Sequence, residues 1–348
     1  MAYTTIPKST DYFNTTLYVG NGSSKTITGI PFAPYFVWIK ARSAAENHVI
    51  VDKVRGANNY LMPNTTATND TNSEFLKSFT SDGYTLGLGD RVNKASTNLV
   101  SWNWRAGTTS GIATNGTTTV TPTSYSFNQT SGSSIVQYTG NGVDGAYLPH
   151  GLGKSPKVMI VKRLTDAGWN WYVYHVALGN QKYMKLNTTN AISATDGMWG
   201  SFTPDTVNMK MSNDAQINAS GNTYIMYCFA DVQGFSKMGS YIGNGNANGT
   251  FAYTGFKPAW IMIKSATTVE SWMLFDNKRL GFNPDNDYLL AEGTDVEPAD
   301  EEVLDIVSNG FKPRVSAGTL NTSGQTYIYM AFAEEPLVST NGIPATAR

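Results

Sequence analysis

The chain has little charge and almost no cysteine. Only 15% of its 348 residues are charged and the formal net charge is −1, so it has no basic footprint for nucleic acid or an anionic membrane. The single cysteine, Cys228, excludes an intramolecular disulfide. With only three histidines besides, the chain has too few ligands for a zinc site. Cys228 lies in the apolar stretch NTYIMYCFA (222–230), so we expect it to be a small core residue.

Long apolar runs are also missing. No stretch approaches the roughly 18 apolar residues of a membrane helix, so we expect no membrane insertion. Residues 1–16, MAYTTIPKSTDYFNTT, lack the charged and apolar regions of a signal peptide, and we expect none.

Apolar residues, glycine and small polar residues are plentiful. Apolar residues make up 41% of the chain and aromatic residues 12%, which is enough for a packed core. There are 33 glycines, and Asn, Thr and Ser are common. This composition is typical of a turn-rich all-β protein with an uncharged polar surface.

One sequence motif occurs three times. The pattern Y-x-G-N-G begins at Tyr18, Tyr138 and Tyr241. Each copy continues with a Gly–apolar pair, a proline and an apolar strand that ends in lysine. These strands are YFVWIK, KVMIVK and AWIMIK, and they end at Lys40, Lys162 and Lys264. Self-similarity at this spacing indicates tandem structural repeats.

The similarity extends to the end of each copy. Asp82-Gly83 and Asn309-Gly310 predict hairpin turns, because both dipeptides tolerate positive φ. Apolar final strands then follow at one fixed distance from Asn93, Asn218 and Asn321. Period-two alternation dominates throughout. We therefore predict three tandem antiparallel β-sandwich domains of the jelly-roll or concanavalin-like kind, with about eight strands each.

The expected domain boundaries follow the copies. The first sandwich covers residues 1–107 and includes an N-terminal attachment segment. Residues 108–134 form a Gly/Ser/Thr-rich linker with an extra strand expected within TTTVTPTSYSF (117–127). The second and third sandwiches cover 135–235 and 236–336, and 337–348 form a tail.

The sequence does not predict an enzyme. It lacks a G-x-S-x-G nucleophile motif, and we expect His48, His150 and His175 to be solvated or hydrogen-bonded residues. A Ser-His-Asp triad is the alternative that the sequence leaves open. The three copies share glycine, proline, tyrosine and apolar residues, which specify a fold, and they share no residue class that carries chemistry.

One acidic stretch is a candidate cation site. GTDVEPADEE (293–302) places Asp295, Glu297 and Asp300 close together in the chain, and carboxylate oxygens suit Ca²⁺. The stretch lacks the D-x-D-x-D-G pattern, so a solvated acidic loop is the alternative. We expect no other cofactor.

Two tryptophans are candidates for binding a glycan. Trp169 and Trp199 each lie close to glycine, at expected loops or strand starts, where an exposed ring could stack on a sugar face. The tryptophans within apolar strands predict core packing instead; they are Trp38, Trp260 and Trp272. Trp102 and Trp104 share one strand face, which fits packing on the core or on a neighbouring domain.

The ordered series of motifs resembles an uncharacterised concanavalin/laminin-G-like repeat domain of bacteriophage virion and tail-fibre proteins, especially from phages of marine and cyanobacterial hosts. Copy one carries the resemblance in Tyr18–Gly22, Gly29–Lys40, Asp52–Gly56 and Trp102–Gly107. Copy two departs from the pattern at the Asp/Arg turn, and copy three lacks the terminal tryptophan pair.

The resemblance implies a non-enzymatic virion protein, made in the host cytoplasm. Its expected role is a tail-fibre or adhesion component that binds the host surface, with a surface glycan as ligand. The alternative is a purely structural decoration protein of the capsid or tail. Other virion proteins are the expected partners, and homo-oligomerisation, as a trimer, is expected by analogy with phage fibres. A host-encoded adhesin is a third alternative, weakened by the missing export signal.

Overall fold

The computed structural model of the protein describes residues 4–194, 198–199, 203–279, 283, 286–299, 301–316 and 318–335. Antiparallel strands supply almost all of its regular structure, and the two α-helices in these ranges are four residues long each. The expected all-β antiparallel architecture is confirmed. No helix in the described ranges is long and apolar enough to cross a membrane.

The first repeat forms a large and a small sheet. After a 3-10 helix at Ser9–Asp11, its elements are β1 (Phe13–Val19), β2 (Lys25–Ile27), β3 (Phe36–Ala41), β4 (Val49–Asp52), β5 (Asn59–Leu61), β6 (Asp70–Thr71), β7 (Leu76–Phe79), β8 (Tyr84–Leu86), α1 (Asp90–Asn93) and β9 (Asn98–Trp104). The large sheet has the order β1-β9-β3-β4-β5-β6 and the small sheet β2-β8-β7. Asp82 and Gly83 lie in the predicted hairpin, between β7 and β8.

The second repeat has a similar plan, with one strand added to the large sheet and, among the described residues, two strands instead of three in the small sheet. Its elements are β10 (Pro122–Asn128), β11 (Ser133–Thr139), β12 (Ala146–Pro149), β13 (Val158–Arg163), β14 (Trp171–His175), a 3-10 helix (Val176–Leu178), β15 (Lys182–Lys185), β16 (Ser193–Ala194), β17 (Asn208–Met211) and β18 (Thr223–Phe229). The large sheet has the order β10-β11-β18-β13-β14-β15-β16, and β12 pairs with β17. The extra strand predicted before this repeat is β10, and it forms the edge of the large sheet.

The third repeat follows the second and again forms a large and a small sheet. Its elements are β19 (Ser236–Ile242), β20 (Ala252–Tyr253), β21 (Lys257–Ser265), β22 (Met273–Asp276), β23 (Leu289–Leu290), β24 (Leu304–Val307), β25 (Gly310–Pro313), α2 (Gly318–Asn321) and β26 (Thr326–Glu335). The large sheet has the order β19-β26-β21-β22-β23 and the small sheet β20-β25-β24. Residues 337–348, the predicted tail, lie outside the described residues.

The repeated Y-x-G-N-G motif forms a loop that is hydrogen-bonded to the end of each sandwich. In every copy the tyrosine hydroxyl donates to a backbone carbonyl at 2.7–2.8 Å, on Val92, Ile217 or Leu320. The residue after this carbonyl group is the asparagine that precedes the final strand: Asn93, Asn218 or Asn321. Its side-chain oxygen accepts the backbone N–H of the motif asparagine at 3.0 Å in all three copies. The motif recurs because it specifies a fold.

The first glycine of the motif is required by a close approach of two backbones. A Cβ at this position would lie 2.1–2.4 Å from a carbonyl oxygen in all three copies, at Gly20, Gly140 and Gly243. The second glycine has φ between +64° and +68°, at Gly22, Gly142 and Gly245, a region that glycine enters without steric cost. Both requirements are local to the loop and none of them involves a ligand.

The central strands of the large sheets are buried on both faces. β3 and β13 are buried along their whole lengths, although the sequence predicted an alternating pattern. In β3, Val37 and Ile39 face the interior of the first sandwich, whereas Phe36 and Trp38 belong to a cluster shared with the other repeats. A strand buried on both faces has a layer packed on each side of its sheet. For these sheets the second layer is the neighbouring repeats.

The three repeats meet at a triangle of aromatic rings. Trp104, Phe229 and Phe332 occupy the same position of the final strand in copies one, two and three. Their ring centroids lie 6.2 Å (Trp104–Phe229), 5.6 Å (Trp104–Phe332) and 5.8 Å (Phe229–Phe332) apart. The expected packing of Trp102 and Trp104 on a neighbouring domain is confirmed, and Trp38, Trp260 and Trp272 are buried as expected.

Candidate functional site

Trp169 lies in the loop between β13 and β14 and is partly buried. The guanidinium group of Arg163 lies over its ring, 4.5 Å from the centroid. The Trp169 carbonyl accepts a hydrogen bond from the Lys162 amine at 2.5 Å. A cation–π contact therefore already occupies one face of the ring, and only part of the side chain remains open to a ligand.

Trp199 is not the exposed aromatic residue that the sequence predicted. It is 1% exposed and belongs to the core of the second sandwich. Its ring meets the ring of Tyr174 edge-on at 5.9 Å. The neighbouring carbonyl of Met198 accepts the backbone N–H of Ser212, which ties this turn to the sandwich. The prediction of Trp199 as a glycan-stacking residue is wrong because the turn folds inward.

The acidic stretch does not gather its carboxylates around one point. Glu297 forms ion pairs with Arg42 and Arg279, and the Arg42–Glu297 distance is 2.6 Å. Asp295 is exposed, and Asp300 lies outside the described residues. Within the described ranges no group of three or more His, Cys, Asp or Glu side chains could hold a metal ion. Glu297 instead connects the first repeat to the third, so the structure gives no support to a cation site at Asp295 and Glu297.

The polar residues that recur in the repeats lie at the junctions between them. The first of these positions holds His48 in copy one, Trp171 in copy two and Trp272 in copy three. It lies four residues before Asp52, His175 and Asp276, respectively. In each case a ring nitrogen hydrogen-bonds a carbonyl of the neighbouring repeat: His48 to Leu290 at 2.9 Å, Trp171 to Met62 at 3.1 Å and Trp272 to Lys185 at 3.0 Å. The three acceptors are equivalent residues. Copy one thus contacts copy three, copy two contacts copy one, and copy three contacts copy two.

This pattern is cyclic, so the three sandwiches form a pseudo-threefold body within one chain. A head-to-tail interface closes into a ring when each unit presents one surface to the unit before it and a different one to the unit after it. Separate chains would need three copies to close such a ring. Here the closure is intramolecular.

Two of the junctions hold a buried ion pair. Asp52 pairs with Arg55 at 2.5 Å and accepts the hydroxyl of Tyr227, from the second repeat, at 2.7 Å. Asp276 pairs with Arg279 at 2.6 Å and accepts the indole N–H of Trp102, from the first repeat, at 2.9 Å. Tyr227 and Trp102 occupy the same position in their copies. Each buried carboxylate is thus neutralised within its own turn and capped by a donor from the next repeat.

The third junction has lost all three members of this arrangement. The positions of the carboxylate, the arginine and the aromatic donor hold His175, Leu178 and Met330. His175 compensates by bonding the backbone carbonyl of Tyr329, from the third repeat, at 3.1 Å. A buried charge without a partner is costly, so the loss of one charged member explains the absence of the other.

All three histidines are held in the neutral form by their hydrogen bonds. In His48, His150 and His175, Nδ1 accepts an N–H group, from Trp38, Leu152 and Ala177. Nε2 then carries the proton and donates to a carbonyl. A second proton on Nδ1 would face a donor, and burial adds to its cost. Burial lowers the pKa of His150 and of His175 to about 4, and the pKa of His48 is also well below its usual value.

The lysine that ends each central strand is buried too. Lys40, Lys162 and Lys264 are fully buried, and burial lowers the pKa of each amine to about 8. Lys40 donates to the carbonyl of Thr294, in the third repeat, and Lys162 to that of Thr66, in the first repeat, so two of the three amines contact a neighbouring repeat. Because the unfolded amines titrate near 10.5, their burial costs stability at pH 7, and this cost is relieved as the pH rises above 8.

Replacing Asp52 with asparagine should lower the free energy of unfolding by about 3 kcal/mol, because Arg55 would be left as a buried charge without a carboxylate. Chemical denaturation at pH 7 measures the change. The exposed Asp82 offers a matched control, and Asp82→Asn should change stability by less than about 0.5 kcal/mol. Adding Arg55→Leu to Asp52→Asn should recover part of the loss, because it removes the unpaired charge. Equal effects of Asp52→Asn and Asp82→Asn would contradict the assignment.

The chain is therefore a pseudo-threefold body of three β-sandwich repeats. It belongs to a family described as Domain of unknown function (DUF7483), whose model matches residues 8–336. The match spans all three repeats of this chain. No curated protein and no solved structure gives a significant match to the chain.

Sequence reasoning did not identify the junction residues as a set. The residues concerned include His48, Asp52, Trp171, Tyr227 and Trp272. One signal was present: they recur at fixed offsets from the shared motifs, either within a strand or directly before one. Polar or indole-bearing residues that recur in or beside buried strands indicate an internal contact that the repeats share.

Proposed function

We propose that the chain is a non-enzymatic structural protein of a bacteriophage particle that decorates the capsid or tail as one three-lobed body. One observation carries the proposal. At the repeat junctions, the recurring Trp, His, Asp, Arg and Lys side chains form hydrogen bonds and ion pairs with other groups of the protein. Residues engaged in this way hold lobes together and are not offered to a substrate.

The resemblance to phage virion repeats supports the class of protein, and the junction geometry supports the choice within that class. A phage fibre obtains its threefold symmetry from three chains. In this protein the large-sheet faces that would join three chains are already joined within one. One chain with three lobes already has pseudo-threefold symmetry. It could therefore bind at a threefold position of the particle without first assembling into a trimer.

We expect the purified protein to be a monomer. Its mass by multi-angle light scattering should be that of one chain, 37.8 kDa, at micromolar concentration. The physical reason is that the central aromatic faces are satisfied internally. A stable species of three chains would contradict this prediction and would favour the fibre that the sequence led us to expect.

Analysis of virions tests the proposal itself. The protein should be found by mass spectrometry in particles purified from the phage that encodes it, and a labelled antibody should mark the capsid or tail. Wild-type protein added to particles that lack it should bind to them and saturate. Its absence from purified particles would rule out every virion role.

Adhesion to the host surface is a second candidate, supported by the partly exposed ring of Trp169. This ring lies in a loop with Asp166, whose side chain is 72% exposed and pairs with Arg163 at 2.8 Å. An aromatic face beside charged and amide groups is the chemistry of a sugar site. Binding to host cells or to a glycan array, abolished by Trp169→Ala, would support this role. Wild-type protein that binds neither cells nor glycans would count against it.

A further inference from the structure

One side of the second sandwich is covered by a stretch of the chain that the other two repeats lack. We call this stretch, Asn115–Asn128, the covering segment. Its strand β10 pairs with β11 and so lies along the edge of the large sheet. Just before β10, the N–H groups of Thr119 and Val120 donate to the carbonyl of Tyr147 at 3.0 Å, and the Tyr147 N–H donates to the Thr119 hydroxyl at 2.8 Å. The covering segment therefore closes a groove between the edges of both sheets.

The equivalent groove of the third repeat has no covering segment. β18 ends at Phe229 and β19 begins at Ser236, so too few residues separate them to supply one. Among the described residues, β26 is the only strand that pairs with β19, and on the other side Ser236, the first residue of β19, bridges to Val232. Phe251 takes the place of Tyr147, counting back from Gly255 and Gly151, and within the described ranges its backbone makes no hydrogen bond.

This open groove exposes apolar side chains. Ile242, Phe251 and Tyr253 are 61%, 46% and 59% exposed, and the two aromatic rings contact each other at 6.4 Å. Val120, which lies in the closed groove of the second repeat, is only 4% exposed. Exposed sheet edges are normally protected by charge, proline or a covering element, because their free backbone groups accept another strand.

Charge protects only the start of this edge. Lys237 is the single charged residue of β19, and its amine pairs at 2.8 Å with Asp231, whose other carboxylate oxygen accepts the Met238 N–H at 2.8 Å. The first repeat also has an open edge at β1, but Lys25 stands there at the position of Phe251. Leu17 and Val19 of β1 are 39% and 53% exposed, so what distinguishes the third repeat is the exposed aromatic pair, Phe251 and Tyr253, beside its edge.

We propose that the open groove of the third repeat, lined by Ile242, Phe251 and Tyr253, binds an extended segment of a partner polypeptide by strand addition along β19. The covering segment shows the chemistry that such a groove accepts in this fold: an uncharged, Ser/Thr-rich strand with a β-branched apolar residue at the place of Val120. Main-chain hydrogen bonds to the edge supply affinity and the apolar contacts supply specificity. This inference is independent of the proposed function.

The probe is a fluorescent peptide with the sequence of residues 113–130, ATNGTTTVTPTSYSFNQT. Fluorescence anisotropy with the full chain should show saturable binding, and a scrambled peptide should not bind. Ile242→Lys and Phe251→Lys should each weaken binding at least about tenfold, because a charge would lie against the apolar strand. Val269 is 68% exposed and lies between β21 and β22, and Val269→Lys should leave binding unchanged.

Hydrogen exchange locates the site. Bound peptide should slow exchange of the β19 amides that face away from β26, at Ser240 and Ile242, and leave the buried amides of β21 unaffected. No saturable binding, binding that both substitutions leave intact, or protection confined to another edge would overturn the proposal.

Two other occupants would also overturn it. If the Ser240 and Ile242 amides are already protected in the free chain and become exposed after deletion of residues 337–348, the chain covers its own groove. If their protection instead increases with protein concentration, a second copy of the chain covers it.

Discussion

Acidification from pH 6.5 to 4 should destabilise the folded protein by about 3 kcal/mol for each of His150 and His175, with a further loss from His48. In the unfolded chain a histidine binds its proton near pH 6.5. In the folded protein the pKa of His150 and of His175 is lowered to about 4 by burial. The unfolded state therefore binds more protons throughout this interval, and stability falls as the pH falls.

Urea denaturation followed by tryptophan fluorescence, at half-unit steps of pH between 7 and 4, measures this loss. His175→Gln tests one contribution, because the glutamine amide can both accept from Ala177 and donate to Tyr329 without binding a proton. This variant should lose about 3 kcal/mol less than the wild type over the same interval. A free energy of unfolding that stays constant from pH 6.5 to 4 would contradict the neutral assignment of the histidines.

The buried carboxyl group of Glu292 titrates in the opposite sense and does not mimic this effect. Burial raises the pKa of Glu292, so its folded form takes up a proton before the unfolded form does and gains stability as the pH falls. Two of the three histidines, His48 and His175, bond across repeat junctions. Acid should consequently loosen the contacts between lobes together with the lobes themselves.

The local elements could be predicted from the sequence because their determinants are local. Asp82-Gly83 and Asn309-Gly310 do lie at hairpins, between β7 and β8 and between β24 and β25. The Y-x-G-N-G loops and the final strands also form where the repeats placed them. Turn geometry and loop closure depend on residues close in the chain. Because the sequence contains three copies, each turn and strand pattern could be compared between repeats.

The arrangement of the three sandwiches could not be predicted in this way. The sequence predicts period-two alternation for the strands YFVWIK and KVMIVK, but it does not say whether a second apolar face meets solvent or another domain. Two departures from the repeat pattern were visible separately: the Asp/Arg turn changes in copy two and the tryptophan pair in copy three. The structure brings them together at one junction, through His175 and Met330, because these two residues belong to facing repeats.

The candidate ligand site was predicted less well than the fold. Trp199 was expected to be exposed because glycine follows it, yet its ring packs on Tyr174 in the core. Glu297 was expected to share a loop site with its acidic neighbours, yet it pairs with arginines from two repeats. In both cases the deciding contact comes from a residue distant in the chain, which spacing along a single sequence does not reveal.

Replacing Trp104 with alanine should lower the free energy of unfolding by about 4–5 kcal/mol, at the upper end for large-to-small changes in a core. Trp104 is 2% exposed and contacts the rings of Phe13, Phe36 and Trp260 at 4.9–5.5 Å, besides the two members of the central triangle. Loss of the indole would leave a cavity shared by all three repeats. Thermal and chemical denaturation, each read by circular dichroism and by fluorescence, should show one cooperative transition displaced as a whole.

The matched control is Trp104→Phe, because phenylalanine occupies the same position in the other two repeats. No hydrogen-bond partner for the Trp104 indole nitrogen is found among the described residues, so the smaller ring removes an unsatisfied polar group while it gives up some packing. We expect this variant to lie within about 1.5 kcal/mol of the wild type. If Trp104→Ala instead melted one lobe and left the transition of the other two unchanged, the repeats would be independent domains. A common loss of stability is the expected result, because the ring of Trp104 contacts aromatic rings of all three repeats.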